Sequence, residues 1–164
     1  MIKVGEPLPE GSFRVKNDDG SVSEVSVAEL FGGRKVVFVG VPGAFTSTCH
    51  NAHIPQFVAN ADLMKSKGVD RIVVMAVNDH HVMKTWGESF GVAGRIDFVS
   101  DGDANYARAL GLATPMVGMG VRVRRFSALV EDGVVKTLNF EPPGGKGIQA
   151  TGAATMLEQI SPGR

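Results

Sequence analysis

The stretch RKVVFVGVP, residues 34–42, is an almost unbroken apolar run with two glycines before it and Pro42 at its end. A run without polar alternation suits a strand buried on both faces. DRIVVMAVND, residues 70–79, is a second run of the same kind. Between them Ile54, Phe57, Val58, Ala61 and Met64 recur at helical spacing, which predicts an amphipathic helix from Ser47 to Lys67, closed by Gly68. Strand, helix and strand in this order imply a crossover unit on a mainly parallel sheet, and that unit confines the chain to an α/β architecture.

The rest of the chain extends the unit. Asn78 or Asp79 can cap a helix whose apolar stripe is Val82, Met83, Trp86 and Phe90, ending before Gly91. RIDFVSD reads as a short strand and residues 103–110 as a short helix. VRVRRFSALVEDGVVKTLNF, residues 121–140, reads as a hairpin of two apolar strands around EDG, and Thr151 caps a last helix with Ala153, Met156, Leu157 and Ile160 on one face. The ordering is that of a thioredoxin-like fold: a central mixed sheet flanked by helices, antiparallel strands at one edge, and an N-terminal extension. With no repeat, low-complexity segment or linker, residues 1–164 are expected to form a single domain. Ligands of such sheets gather at the carboxyl ends of the strands, and Cys49 follows the end of the first apolar run.

Charge narrows the partners. Seventeen acidic residues balance 17 basic ones with no long run of either sign, which argues against nucleic acid or an acidic membrane surface and for a small or neutral substrate. The N-terminus lacks a basic stretch followed by an apolar one, and nowhere do about 18 apolar residues run together, so a cytoplasmic protein is expected. Cys49 is the only cysteine, which excludes an intramolecular disulfide and leaves an inert core thiol or a reactive one.

The segment VPGAFTSTCH, residues 41–50, favours reactivity. Pro42 stops the strand, Gly43 permits unusual backbone angles, and Thr46 or Ser47 caps the helix that follows, so Cys49 falls in its first turn. Amides there lack helical partners, and the helix end favours an anion. For a thiolate to dominate at neutral pH, about 3.4 kcal/mol of stabilisation beyond an ordinary thiol is needed. A helix end supplies only about 0.3–2 kcal/mol, whereas a cation at 4 Å supplies up to about 4 kcal/mol. With period two, Val121, Val123, Arg125 and Leu129 share one largely apolar face, where a guanidinium needs a partner. A bulge turning Arg125 outward would instead leave RVRR as a solvated edge.

VPGAFTSTCHNAHIPQFV resembles the active-site segment of the peroxiredoxins: proline, three residues, threonine or serine, two residues, cysteine, here Pro42, Thr46 and Cys49. The PGAFT wording, VND before a helix containing Trp86, and RRFSALVEDGVV resemble the peroxiredoxin-five or type II subfamily, over nearly the whole chain. The resemblance implies a thiol peroxidase that reduces hydrogen peroxide and organic hydroperoxides. Cys49 would be the peroxidatic cysteine that becomes a sulfenic acid. Thr46 would bond thiolate and peroxide through its hydroxyl, Arg125 would complete the site, and Pro42 would shield it from water. The backbone N–H groups of Thr48 and Cys49 would hold the peroxide in line. It further implies no bound cofactor, an external thiol reductant and a homodimer. Relatives with a resolving cysteine carry it in stretches that hold none here, so the reductant is glutathione with glutaredoxin, or thioredoxin, and the single-cysteine pattern favours the first. The alternative is a non-enzymatic peroxide sensor of the same fold acting through oxidised Cys49.

Other features have plainer readings. Cys49 and His53 lie at i and i+4, and His50, His80 and His81 exist, but no second cluster completes a metal site, so no metal is expected. His53 is read as orienting the loop or packing at a subunit contact rather than as a base. Pro55 should kink the helix, EPPGGKG (141–147) is a flexible connection rather than a phosphate loop, and Met83, Trp86 and Phe90 are core or subunit contact.

Overall fold

The computed structural model describes residues 1–92, 94–141, 148 and 150–160. Both apolar runs are strands: β3 (Lys35–Gly40) and β4 (Arg71–Ala76), each buried at every position but the first. They are joined through a π-helical turn, Cys49–His53, and α2 (Ile54–Ser66). They pair in parallel, with Val37 opposite Ile72 and Val39 opposite Val74. After β4 come α3 (His80–Ser89), β5 (Asp97–Ser100), parallel to β4, and α4 (Asn105–Leu110). Asp79, not Asn78, caps α3 by accepting the Val82 amide at 2.9 Å.

The expected hairpin is present in its second half. Strands β8 (Phe126–Glu131) and β9 (Val134–Phe140) pair antiparallel around Asp132 and Gly133 and form one edge of the sheet. Its first half belongs elsewhere: β7 (Gly120–Val123) pairs with β6 (Ala113–Met116), a strand the sequence reading did not contain, in a separate two-stranded sheet. The chain therefore changes sheets at Arg124 and Arg125, and period two does not carry across the break.

The N-terminal extension is an antiparallel pair, β1 (Ser12–Lys16) and β2 (Val22–Ser26), followed by α1 (Val27–Phe31). Ser26 and Glu29 cap α1 reciprocally, and β1 joins β5, which gives seven strands in the order β2-β1-β5-β4-β3-β8-β9. The last helix is α5 (Ala153–Ile160). The expected cap at Thr151 is absent: its hydroxyl donates to Glu141, and Gln56 of α2 accepts the first amide of α5, that of Ala153, at 3.1 Å.

Side chains alternate between two cores, as a doubly covered sheet requires. Val37, Val39 and Leu129 face α2, α3 and α5, in the layer that contains Cys49, Met83 and Trp86. Val36, Phe38, Ala128 and Val130 face α1 and α4. Phe38 is the centre of the second layer, edge-on to Phe31 at 5.0 Å and to Phe126 at 5.2 Å. Phe126 also lies over Gly40, where a Cβ would come within 2.1 Å of the ring. Because Phe126 is only 2% exposed, it has little room to yield. Gly40→Ala is therefore expected to cost about 2 kcal/mol by overpacking, a fall of about 4–8 °C in melting temperature, and Phe126→Leu in the same chain should recover part of it. Calorimetry on the single and double variants measures both effects.

Candidate active site

The thiol lies where β3 ends. The Val41 amide still donates to Met75 O, and the chain then turns through Pro42 to Phe45. Asn78 holds this turn by accepting the Ala44 amide at 2.8 Å, which ties it to the carboxyl end of β4. The left-handed residue is Phe45, φ 61°, rather than Gly43. Gly43 gives room for the Arg122 guanidinium to approach: a Cβ there would lie 2.9 Å from Arg122 Nη1 and 3.0 Å from the Thr46 methyl, so these side chains would have to shift. Arg122, which the sequence reading assigned no role, donates to Pro42 O at 3.2 Å and Met119 O at 2.9 Å, joining the β6–β7 hairpin to the turn.

Helical geometry begins at Ser47, and the first bond of the helix runs from the His50 amide to Thr46 O at 2.8 Å. The amides of Ser47, Thr48 and Cys49 precede that bond and have no intrahelical acceptor, as expected for the first turn. Contrary to expectation, Thr46 neither caps them nor donates to the Cys49 sulfur; its hydroxyl donates to Gly43 O at 2.7 Å. The expected continuous α-helix is also corrected: from Cys49 to His53 the helix is π-type, with the Ile54 amide donating to Cys49 O. Pro55 is the reason. It has no N–H to offer, and its ring needs room beside the carbonyl four residues back, so one wide turn places it at the start of α2 and no kink in mid-helix is required.

The wide turn keeps Cys49 and His53, both 0% exposed, facing one guanidinium. Arg125 Nη2 donates to Cys49 Sγ at 3.1 Å, and Arg125 Nη1 donates to His53 Nδ1 at 2.6 Å. His53 Nε2–H in turn donates to Thr151 O at 2.9 Å. Among the described residues no carboxylate lies within 4 Å of Arg125, so its charge is left to the sulfur. Burial pushes His53 down to about 4, the Arg125 charge adds to this, and the Thr151 carbonyl and Glu141 oppose it. His53 is therefore a neutral imidazole at physiological pH, an acceptor toward Arg125.

Arg125 reaches the thiol because β8 begins directly after it: Arg125 has the parity of Ser127 and Leu129, on the Cys49 face of the sheet. Arg124 turns the other way, its guanidinium 4.4 Å from the Phe140 ring centre. Val121 and Val123, used with Leu129 to assign the face, are not part of it. Val121 is 37% exposed and Val123 packs in the opposite layer.

His50, next to the thiol in sequence, accepts from Trp86 Nε1 at 2.9 Å and lies between the rings of Phe45 and Phe90. The sequence offers His50 only as a possible metal ligand, and nothing local to it signals the bond to Trp86. Met83 and Trp86 are core residues, as expected. No group of three or more histidine, cysteine, aspartate or glutamate residues able to hold a metal ion occurs among the described residues. Residues 142–147 of EPPGGKG, expected to be a flexible connection, lie outside them. A cavity of about 540 Å³ between α3 and the strands β1 and β5 shares no residue with the thiol site.

Buried thiol, converging guanidinium and free first-turn amides form a site suited to displacement at an electrophilic oxygen, with donors aimed at the charge that moves. Known proteins share the frame. The redoxin family model matches residues 3–157. Peroxiredoxin-2B of Arabidopsis thaliana is 41% identical over 145 residues, covering 87% of this chain and 90% of that protein. Reduced Prx3 from Vibrio vulnificus, solved in complex with H2O2, superposes with a TM-score of 0.91 at 41% identity, over 98% of this chain and 100% of that one. Peroxiredoxin 5 from Alvinella pompejana superposes with a TM-score of 0.83 at 30% identity, over 99% of each chain. With its thioredoxin-like sheet and its cysteine at the rim of β3, this chain belongs to the redoxin family and, within it, to the peroxiredoxins, the thiol-dependent peroxidases.

Proposed function

We propose that Cys49 is the peroxidatic residue of a single-cysteine, type II-like peroxiredoxin acting on hydrogen peroxide and organic hydroperoxides. The observation that carries this reading is the Arg125 Nη2 contact to Sγ at 3.1 Å, with no carboxylate of the described residues within 4 Å of that guanidinium. The thiolate attacks one peroxide oxygen. An S–O bond forms as the O–O bond breaks, sulfur loses two electrons, and the leaving oxygen takes up a proton as water or alcohol. Arg125 and the amides of Thr48 and Cys49 face the charge that shifts from sulfur to oxygen. Pro42 keeps bulk water off the thiolate.

The Thr46 hydroxyl has its proton on Gly43 O, which leaves its lone pairs to accept the O–H of an incoming peroxide. Loss of one such bond is worth about 1.4 kcal/mol, so Thr46→Val should slow peroxide reduction about tenfold and Thr46→Ser should retain most of it. Stopped-flow reaction of the reduced variants with peroxide makes the comparison.

With Cys49 the only cysteine, the sulfenic acid has no partner in its own chain. An external thiol condenses with it, releasing water, and a second thiol resolves the mixed disulfide. We assign these roles to glutathione with glutaredoxin, ahead of thioredoxin, in a cytoplasmic homodimer. Steady-state peroxide consumption with each reductant tests the proposal: many turnovers with at least one support it. Consumption that stops after one equivalent per Cys49 with every reductant overturns it in favour of a peroxide sensor.

A further inference from the structure

We propose that Glu141 and Thr151, at the two ends of the connection from β9 to α5, are positioning residues that aim Arg125 at the thiol through His53. The inference rests on the reading that Arg125 activates Cys49, and it adds a remote support to that contact. The Glu141 carboxylate accepts the Thr151 amide at 2.8 Å, the Thr151 hydroxyl at 2.5 Å and the Ala150 amide at 3.2 Å. These three bonds close the connection on itself and set the direction of the Thr151 carbonyl.

The turn has one seat. Thr151 is 0% exposed. A side chain at Gly152 would come within 2.6 Å of Gln56 Oε1 and 2.8 Å of Ile148 O, and the same Gln56 oxygen accepts the Ala153 amide. Held there, Thr151 O accepts from His53 Nε2, which requires the ring proton on that nitrogen and leaves a lone pair on Nδ1. That lone pair receives Arg125 Nη1 at 2.6 Å, and the other arm of the fork then falls on Cys49 Sγ. If the carbonyl swung away, the ring could take the other tautomer, and Nδ1–H would face the guanidinium N–H. A neutral acceptor serves this purpose better than a carboxylate would, because it orients the guanidinium without cancelling its charge. The imidazole is kept neutral by its burial.

The test compares Glu141→Ala, Glu141→Gln, His53→Gln, Glu141→Ala with His53→Gln, and Arg125→Ala. Each is measured for peroxide rate in single turnover and for thiolate fraction at neutral pH by ultraviolet absorbance. The single cysteine makes that signal unambiguous. Glu141→Ala should lower the rate about tenfold and reduce the thiolate fraction, while Glu141→Gln, which keeps the acceptor oxygen, should restore most of both. In the double variant the Glu141 change should have no further effect, because the link it supports is already gone. Independent multiplication of the two effects, or wild-type rate and thiolate fraction in Glu141→Ala, overturns the inference. If Glu141→Ala fails to fold, Glu141→Gln and Thr151→Val, which removes only the hydroxyl, carry the same comparison, with wild-type behaviour in Thr151→Val counting against it. Loss of activity in Arg125→Ala beside unaffected Glu141 variants sinks this inference alone, whereas an active Arg125→Ala sinks the reading it rests on.

Discussion

Arg125→Ala is expected to slow peroxide reduction by about 10²–10³-fold, the range for removing one preorganised donor from a developing charge. Two losses combine. The ground-state thiolate loses a charge-assisted bond worth about 1.5–3 kcal/mol, and the helix end that remains supplies at most about 2 kcal/mol. The departing peroxide oxygen also loses the cation that contacts the attacking sulfur. Arg125→Lys should fall between wild type and alanine, because an ammonium cannot span Cys49 Sγ and His53 Nδ1 as the planar fork does. Single-turnover kinetics with peroxide, alongside a melting curve, separates chemistry from folding. The unpartnered Nδ1 of His53 lowers stability by about 1–3 kcal/mol, which a domain of this size survives. An unchanged rate would remove Arg125 from the chemistry.

Acidification is expected to remove about 3 kcal/mol of folding stability between pH 6.5 and pH 4 through His53 alone. Burial holds the folded-state value near 4, against about 6.5 in the unfolded chain. Above pH 6.5 the imidazole is neutral in both states and its contribution is complete. As the pH falls the unfolded chain takes up a proton that the folded protein refuses, so stability declines until the folded ring titrates too, near pH 4. Asp97 and Asp101, raised by burial, change stability in the opposite direction over acid pH, so the decisive quantity is a difference. Urea midpoints of wild type and His53→Gln from pH 7 to 4 should converge as the pH drops, the glutamine variant lacking this decline. Parallel curves would show that the folded ring takes up its proton at the same pH as the unfolded chain and would remove the burial-driven shift.

Local pattern disclosed the frame. Unbroken apolar runs gave β3 and β4, helical spacing gave α2 and α3, and a turn signal gave the β8–β9 hairpin, since each is dictated by residues a few positions apart. The N-terminal pair and β6 were missed. β1 does alternate, with Phe13 and Val15 between Ser12, Arg14 and Lys16, but over only five residues, while β6, the four residues ATPM, shows no period and exists through its pairing with β7. Arg125 lies on the face of Leu129, but Val121 and Val123 do not share it, because the run of alternating residues crosses from one sheet to another at Arg124 and Arg125.

For the site itself, the sequence alone determined its nucleus: a single cysteine in the first turn of a helix after a strand end, with proline and threonine at set intervals before it. It also showed that this turn is too weak electrostatically to hold a thiolate unaided. Tertiary structure decided what supplies the rest. Arg125 meets Cys49 across 76 positions, and His53 meets Arg125 across 72 and Thr151 across 98. No local period encodes such distances. They are set by the order in which β3, β8 and α5 stack, and by a proline that widens one helical turn until a thiol and an imidazole face the same guanidinium.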